Sequence, residues 1–247
     1  MPTSNEIADG VYRFGANGVN FYMIVGDGGL TVVDAGLPGH WPLFTTWLHR
    51  NGRAVREVTA LLLTHNHADH IGFADRAQAK GATVRIHGDD LDGVQNGGPP
   101  SIPERFARNA WRPGLLIRVA GWVRRGLTRT PTLVDVRPCT DGERLDVPGA
   151  PRVIHVPGHT PGSAAYVFDD HDVICTGDAL VTRDVVTGQP GIGISPQGLN
   201  DDDQQALASL ERFTDLDVSV LAPGHGEPYP HGMASALQAA RAIGATW

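Results

Sequence analysis

Apolar residues fall in short runs that recur in the same order in both halves of the chain. In the first half VNFYMIV and LTVVDAG flank GDGG. β-Branched and aromatic residues on either side of a glycine pair predict two strands joined by a tight turn. PGHWPLFTTWLHRNG follows as a helix, with proline near its start and Gly52 just past its end. VTALLLT is then a buried strand, and it delivers the polar stretch THNHADH. In the second half SAAYVFDDHDVICTGD is again strand, turn, strand, with Asp178 placed as Asp34 is in VVDAG. DDDQQALASLERF is a helix whose acidic start suits its dipole, and SVLAPGH is a strand that ends on His225. The shared order of hairpin, aspartate, helix, strand and histidine predicts an internal duplication. The expected class is α+β, two packed sheets with helices on their outer faces.

The segment from Gln95 to Asp135 interrupts this order. In WRPGLLIRVAGWVRRGLT, residues Leu115, Leu116, Val119, Trp122, Val123 and Leu127 recur at helical spacing, with Arg118, Arg124, Arg125 and Arg129 largely elsewhere. The pattern predicts a helical insertion (95–135) docked on the core, in preference to a helix lying on a membrane. In its sharper form it is a lid whose apolar residues wall a substrate pocket.

Composition narrows the reading further. With 247 residues, 41% of them hydrophobic, the chain can bury the core of one domain spanning 1–247. Twenty basic against 27 acidic residues give a net charge of −7, which disfavours nucleic acid and anionic membranes and leaves a small molecule as the expected partner. No apolar run approaches a membrane span and no signal-peptide pattern opens the chain, so the cytoplasm is the expected location. Two cysteines, Cys139 and Cys175, are too few for a disulfide scaffold or a thiolate zinc knuckle and are expected as buried apolar residues.

Candidate chemistry gathers at the strand ends. His65 and His67 lie two apart on an extended segment, so they point to one side and can grip one cation; Asp69 and His70, where the chain turns into the expected helix DHIGFADRAQAK, can serve a second. His159 in VPGHTPGS, Asp178 in CTGDAL and His225 in APGHGE each sit just beyond an apolar run, beside glycine or proline that allows a tight turn. Seven imidazoles and carboxylates are thus expected to converge. Nitrogen and oxygen donors without thiolate suit zinc, and also iron or manganese. The other histidines, His40, His49, His87, His155, His171 and His231, are expected as structural or surface groups, with His87 and His155 buried and hydrogen-bonded. Ser163 is expected as a turn residue.

The motifs VVDAG, THNHADH, PGHTPGS, TGD and PGHG, in this order over nearly the whole chain, resemble those of the metallo-β-lactamase superfamily. The resemblance implies a four-layer αββα sandwich of two similar halves. It implies two zinc ions, with iron or manganese as variants: His65, His67 and His159 on the first, Asp69, His70 and His225 on the second, and Asp178 bridging. Asp34 would brace the ligand loops from behind. It further implies a hydrolase in which a metal-bridging hydroxide attacks a carbonyl, with Asp69 orienting the water and passing on its proton.

Substrate class is less determined. Asp178 stands where thiolate-containing β-lactamases have cysteine, and in this resembles glyoxalase II, lactonase, phosphodiesterase and flavodiiron branches. Glyoxalase II enzymes carry a C-terminal helical domain, which is not expected here because few residues follow His225, and residues 179–224 lack the tyrosine common in homoserine-lactone hydrolases. The glycine-rich stretch TRDVVTGQPGIGISPQGLND is expected as a substrate-contacting loop, with Arg183 a candidate for binding a carboxylate or phosphate. The favoured substrate is an ester, thioester or lactone with an apolar portion. A β-lactam or phosphodiester, a di-iron redox centre and a non-catalytic binding module are the alternatives.

Overall fold

A computed structural model of the chain describes residues 5–16, 18–96 and 104–244. Strands β1 (Asn5–Ala8), β2 (Val11–Ala16), β3 (Val19–Gly26) and β4 (Gly29–Val33) form an antiparallel meander. Helix α1 (Trp41–Arg50) leads to β5 (Val58–Leu62), parallel to β4, and α2 (Ala74–Gln78) leads to β6 (Thr83–His87), parallel to β5. Helices α3 (Leu91–Asn96), α4 (Glu104–Arg108) and α5 (Pro113–Arg124) precede β7 (Arg137–Cys139), which pairs parallel to β6 and completes a seven-stranded sheet. The second sheet begins with the meander β8 (Arg152–His155), β9 (Ala164–Phe168) and β10 (Val173–Gly177). A separate ribbon of β11 (Val181–Arg183) and β12 (Pro190–Gly193) follows. Helix α6 (Asp203–Ser209) then leads to β13 (Val220–Pro223), parallel to β10, and α7 (Met233–Ile243) comes last.

The four layers follow from alternation along the strands. Tyr22, Ile24, Val33 and Leu62 of the first sheet pack against Val153, Tyr166, Phe168, Val173 and Cys175 of the second, forming the core between them. Their alternate neighbours Phe21, Met23, Val32 and Leu61 face outward and are covered by Phe44 and Leu48 of α1 and Ala74 and Ala77 of α2. On the other side Ile154, Ala165, Val167, Ile174 and Leu221 are covered by Ala206 of α6 and Met233, Ala236, Leu237 and Ala240 of α7. The units β3–β4–α1–β5 and β9–β10–α6–β13 have the same course, an antiparallel hairpin, a helix and a parallel strand. The sheets around them are unequal, seven strands against four. Cys139 and Cys175 are both buried.

Three expectations are corrected. The helix expected from Asp69 begins only at Ala74. The Gly72 amide donates to the Gly36 carbonyl and the Phe73 amide to the Ala35 carbonyl, so residues 65–73 are held as turns against the Asp34 loop. The stretch 182–201, expected as a loop, holds the end of β11 and all of β12 of the two-stranded ribbon. In α5 only Leu115 and Trp122 are buried, against Val19, Leu37, Val185 and Val186, whereas Leu116 and Val123 are exposed. No helix among the described residues is long and apolar enough to cross a membrane.

Candidate metal centre

Strands β4, β5, β8, β10 and β13 each end one step or a few before a group of interest: Asp34, His65 to His70, His159, Asp178 and His225. Because β4 and β5 run parallel, as do β10 and β13, each pair delivers its carboxyl ends to one side. The chain must turn sharply there. Asp34 has φ of 62°, a left-handed conformation that aspartate tolerates better than most residues. Gly224 passes so close to the cluster that a Cβ on it would run into the Asp178 carboxylate and lie 2.6 Å from His70 Cε1.

Seven side chains converge. The rings of His65 and His67, His65 and His159, and His67 and His159 each have centroids 4.7 Å apart, and the His65 and His70 rings are 4.0 Å apart. Asp178 lies among them, with Oδ1 3.5 Å from His70 Nε2, and Oδ2 3.5 Å from His159 Nε2 and 3.1 Å from His225 Nε2. Asp69 Oδ2 is 3.6 Å from His225 Nε2 and 4.0 Å from His70 Nε2. Three groups of close donor atoms result: His65, His67, His159; His65, His70, Asp178; and Asp69, His70, His225.

Hydrogen bonds behind the rings decide which nitrogen faces inward. Asp34 accepts from the Thr64 amide at 2.8 Å and from the Thr64 hydroxyl at 2.9 Å, so that hydroxyl is left to accept from His65 Nδ1 at 3.0 Å. Asp34 also accepts from His70 Nδ1 at 2.8 Å. His159 Nδ1 donates to Asn200 Oδ1 at 3.0 Å, and His225 Nδ1 donates to the Gly18 carbonyl at 2.7 Å. Asn200 is oriented by donating through Nδ2 to the Ser195 carbonyl and to Asp203. Four imidazoles therefore present Nε2 to the cluster, and His67 presents Nδ1, 3.0 Å from His159 Nε2.

Inside the ring of donors, His65 Nε2, His70 Nε2 and Asp178 Oδ1 are buried with no hydrogen-bond partner. Such atoms are expensive to bury bare, and a cation between them removes that cost. Burial, helped by the neighbouring imidazoles, drives the pKa of His65 far down and that of His159 to about 3, which keeps both neutral and able to ligate. At His70 and His225 burial acts in the same sense but is outweighed by Asp178, with Asp34 or Asp69, and both pKa values rise. Positive charge is therefore favoured at the Asp69–Asp178 side. The donor set fits hard-to-borderline divalent cations.

Asp90, unremarked in the sequence, ties the first histidine loop to the second half. Fully buried, it accepts from the Asn66 amide at 3.0 Å, the Thr160 hydroxyl at 2.7 Å and the Gly162 amide at 2.8 Å. Ser163 serves the same turn, accepting from the Thr160 amide at 2.9 Å. Arg183 is half-buried and donates to the Gly188 carbonyl of its own ribbon at 2.8 Å. The ribbon is joined to the cluster by the Thr182 amide, which donates to the His225 carbonyl at 3.0 Å.

Another cluster of donors, His87, Asp89 and His155, lies outside this centre. His87 is buried and His155 half-buried, their rings stacked 3.9 Å apart and only 10° from parallel. Parallel lone pairs do not meet on one ion, and His155 Nε2 already donates to the Pro161 carbonyl at 2.8 Å. His40 is fully buried and accepts from the Leu37 amide through Nδ1. His49 and His231 are exposed, and His171 donates to the Asp9 carbonyl.

A family model described as the metallo-beta-lactamase superfamily matches residues 14–225. The probable metallo-hydrolase YflN of Bacillus subtilis (strain 168) is 26% identical over 237 residues, 90% of this chain and 86% of its own. The metallo-beta-lactamase family protein TTHA1429 from Thermus thermophilus superposes with a TM-score of 0.67 at 26% identity, over 97% of this chain and 80% of its own. TTHA1623, solved in a di-iron-bound form, superposes with a TM-score of 0.62 at 23% identity, over 97% of this chain and 98% of its own.

Proposed function

Since the chain belongs to the metallo-β-lactamase superfamily, we propose that it is a dinuclear metallo-hydrolase acting on an ester, thioester or lactone with an apolar portion. The observation that carries this reading is the convergence of unpartnered His65 Nε2, His70 Nε2 and Asp178 Oδ1 between two groups of inward-facing imidazoles. His65, His67 and His159 would hold one cation and Asp69, His70 and His225 the other, and Asp178, with one oxygen toward His70 and the other toward His159 and His225, would serve both. Zinc is the favoured metal. Iron is the specific competitor, because a relative of the same fold is described in a di-iron-bound form.

When bound, two divalent ions supply a water nucleophile that is ionised near neutral pH and a Lewis acid for the substrate oxygen. The protein does the rest. Asp69 is the least buried of the ligating carboxylates, so it can touch the attacking water, orient it and carry its proton to the leaving group. Asp34 keeps His70 and, through Thr64, His65 in the tautomers that face the centre. Arg183 is the proposed contact for an anionic part of the substrate, on release from the Gly188 carbonyl. The inner face of α5, resting on Val185 and Val186 of the neighbouring ribbon, is the proposed apolar wall.

Elemental analysis of protein purified without chelator, paired with a panel of aryl esters, acyl thioesters and lactones, tests the proposal. Near two zinc ions per chain and turnover abolished in Asp178→Ala are expected. No hydrolysis of any carbonyl substrate by fully loaded protein overturns the reaction, and iron with redox turnover replaces it by the di-iron alternative.

A further inference from the structure

Helix α5 is apolar on two faces, and only one of them is covered. Leu115 and Trp122 are buried on the body of the protein, and Arg118, beside them, donates to the Val185 carbonyl at 3.1 Å, which fixes how the helix is docked. The opposite face presents Leu116 at 53%, Ile117 at 74% and Val123 at 48% exposure, and Trp111 just before the helix is 73% exposed. Among the described residues, the large apolar side chains left in solvent all lie in this segment or, as Val134, just after it. Single exposed apolar residues need no explanation, but several on one face of a helix mark a contact.

The charge around that face is as uneven as its polarity. Residues 105–134 hold seven arginines and no aspartate or glutamate, while the rest of the chain holds 13 basic against 27 acidic residues. Arg124 ends the helix and Arg129 follows it, both exposed, and Arg112 lies over the Trp111 ring at 4.9 Å. A second copy docking by the same face would bring two such arginine sets together. The complementary occupant is apolar in depth and negatively charged at its surface.

We infer that α5 and Trp111 form a peripheral docking surface for an anionic lipid bilayer. The docked face holds the helix to the protein, Leu116, Ile117 and Val123 enter the acyl boundary, Trp111 sits at headgroup depth, and the arginines meet the lipid phosphates. At 12 residues the helix is about 18 Å long and lies in the interface without crossing it. The excess of acid elsewhere on the chain orients the molecule, since only this side is attracted to an anionic surface. Net charge alone argues the other way, but it averages over the segregation that matters.

The test is sedimentation of the full-length protein with vesicles of phosphatidylcholine alone or mixed with phosphatidylglycerol, at low and high salt. Expected is partition onto the anionic vesicles only, falling as salt rises and roughly fivefold with each arginine replaced by glutamine at positions 124 and 129. Ile117→Asp, at an exposed position, is expected to abolish partition while the circular dichroism spectrum and thermal midpoint stay those of the unmodified protein. No binding to anionic vesicles overturns the inference, as does equal binding to phosphatidylcholine. Self-association without lipid, dispersed by Ile117→Asp, overturns it in favour of a second copy on this face.

Discussion

Gly224 is constrained by the centre itself, since a side chain there meets Asp178 and His70 together. Gly224→Ala is expected to lose at least one metal ion per chain by elemental analysis while the chain still folds, because the contacts below 3 Å are to the proposed ligands Asp178 and His70, with the Gly177 backbone next at 3.2 Å. Asp90→Ala leaves two amides and a hydroxyl buried without their acceptor. At about 1–3 kcal/mol for each unsatisfied group, a loss of several kcal/mol in urea denaturation is expected, with weaker metal retention, since the loops of His65–His67 and His159 share this anchor. His40, outside the seven converging residues, offers a pH test in which Asp69 only partly opposes the effect of burial. Burial, with Arg125 adding to it, lowers its pKa from 6.5 to about 4, so below pH 6.5 the unfolded chain binds a proton that the folded one does not. As pH falls from 6.5 to 4, stability is therefore expected to drop by roughly 3 kcal/mol from this group, and to lose nothing further from it below pH 4. In His40→Gln the difference in stability between pH 7 and pH 4 is expected to shrink by that amount; an unchanged difference rejects the assignment. The seven converging residues were legible in the sequence because all lie within eight residues of a strand end, in short motifs rich in histidine, aspartate and glycine. Asn200, Asp90 and the Gly18 carbonyl were not, because their partners lie 24 to 207 residues away and nothing local marks them.

At the scale of elements, periodicity located the hairpins, α1 and the strands that carry the ligands, because burial on both faces makes those strands continuous apolar runs. It misplaced elements where backbone hydrogen bonds to distant residues decide the outcome. The Gly36 and Ala35 carbonyls take the Gly72 and Phe73 amides and delay α2, and no pattern within residues 69–80 reports that. In α5, spacing grouped Leu116 and Val123 with the buried residues because an apolar face and its neighbour look alike when both are apolar. The helix is held by Arg118 as well as by Leu115 and Trp122. Arg118→Ala is expected to cost about 1–3 kcal/mol of local stability, read as faster amide hydrogen exchange confined to residues 113–124 and the 185–186 segment. Exchange that quickens throughout the second sheet instead would mean that the insertion is part of the core.

At the scale of the molecule, the metal ions are expected to be part of the fold's stability. Stripping with chelator re-exposes the unpartnered donors, and binding at a thousandfold excess over Kd is worth about 4 kcal/mol per ion. A clear drop in thermal midpoint, restored by adding metal back, is expected; an unchanged midpoint with metal removal verified would show that the hydrogen-bonded scaffold alone holds the site. That scaffold is sewn between the two extremes of the chain. The Asn20 amide donates to the Gly224 carbonyl, the Asn20 side chain and the Tyr22 hydroxyl donate to the Pro223 carbonyl, and Gly18 accepts from His225 across 207 residues. During synthesis on the ribosome, Gly18 and β3 therefore have only water as partner for these polar groups until residues 223–226 leave the exit tunnel. Until then the nascent chain has six of the seven proposed ligands: the His65, His67 and His159 group is complete without His225, whereas the Asp69, His70 and His225 group is not, so the second cation is expected to follow the first.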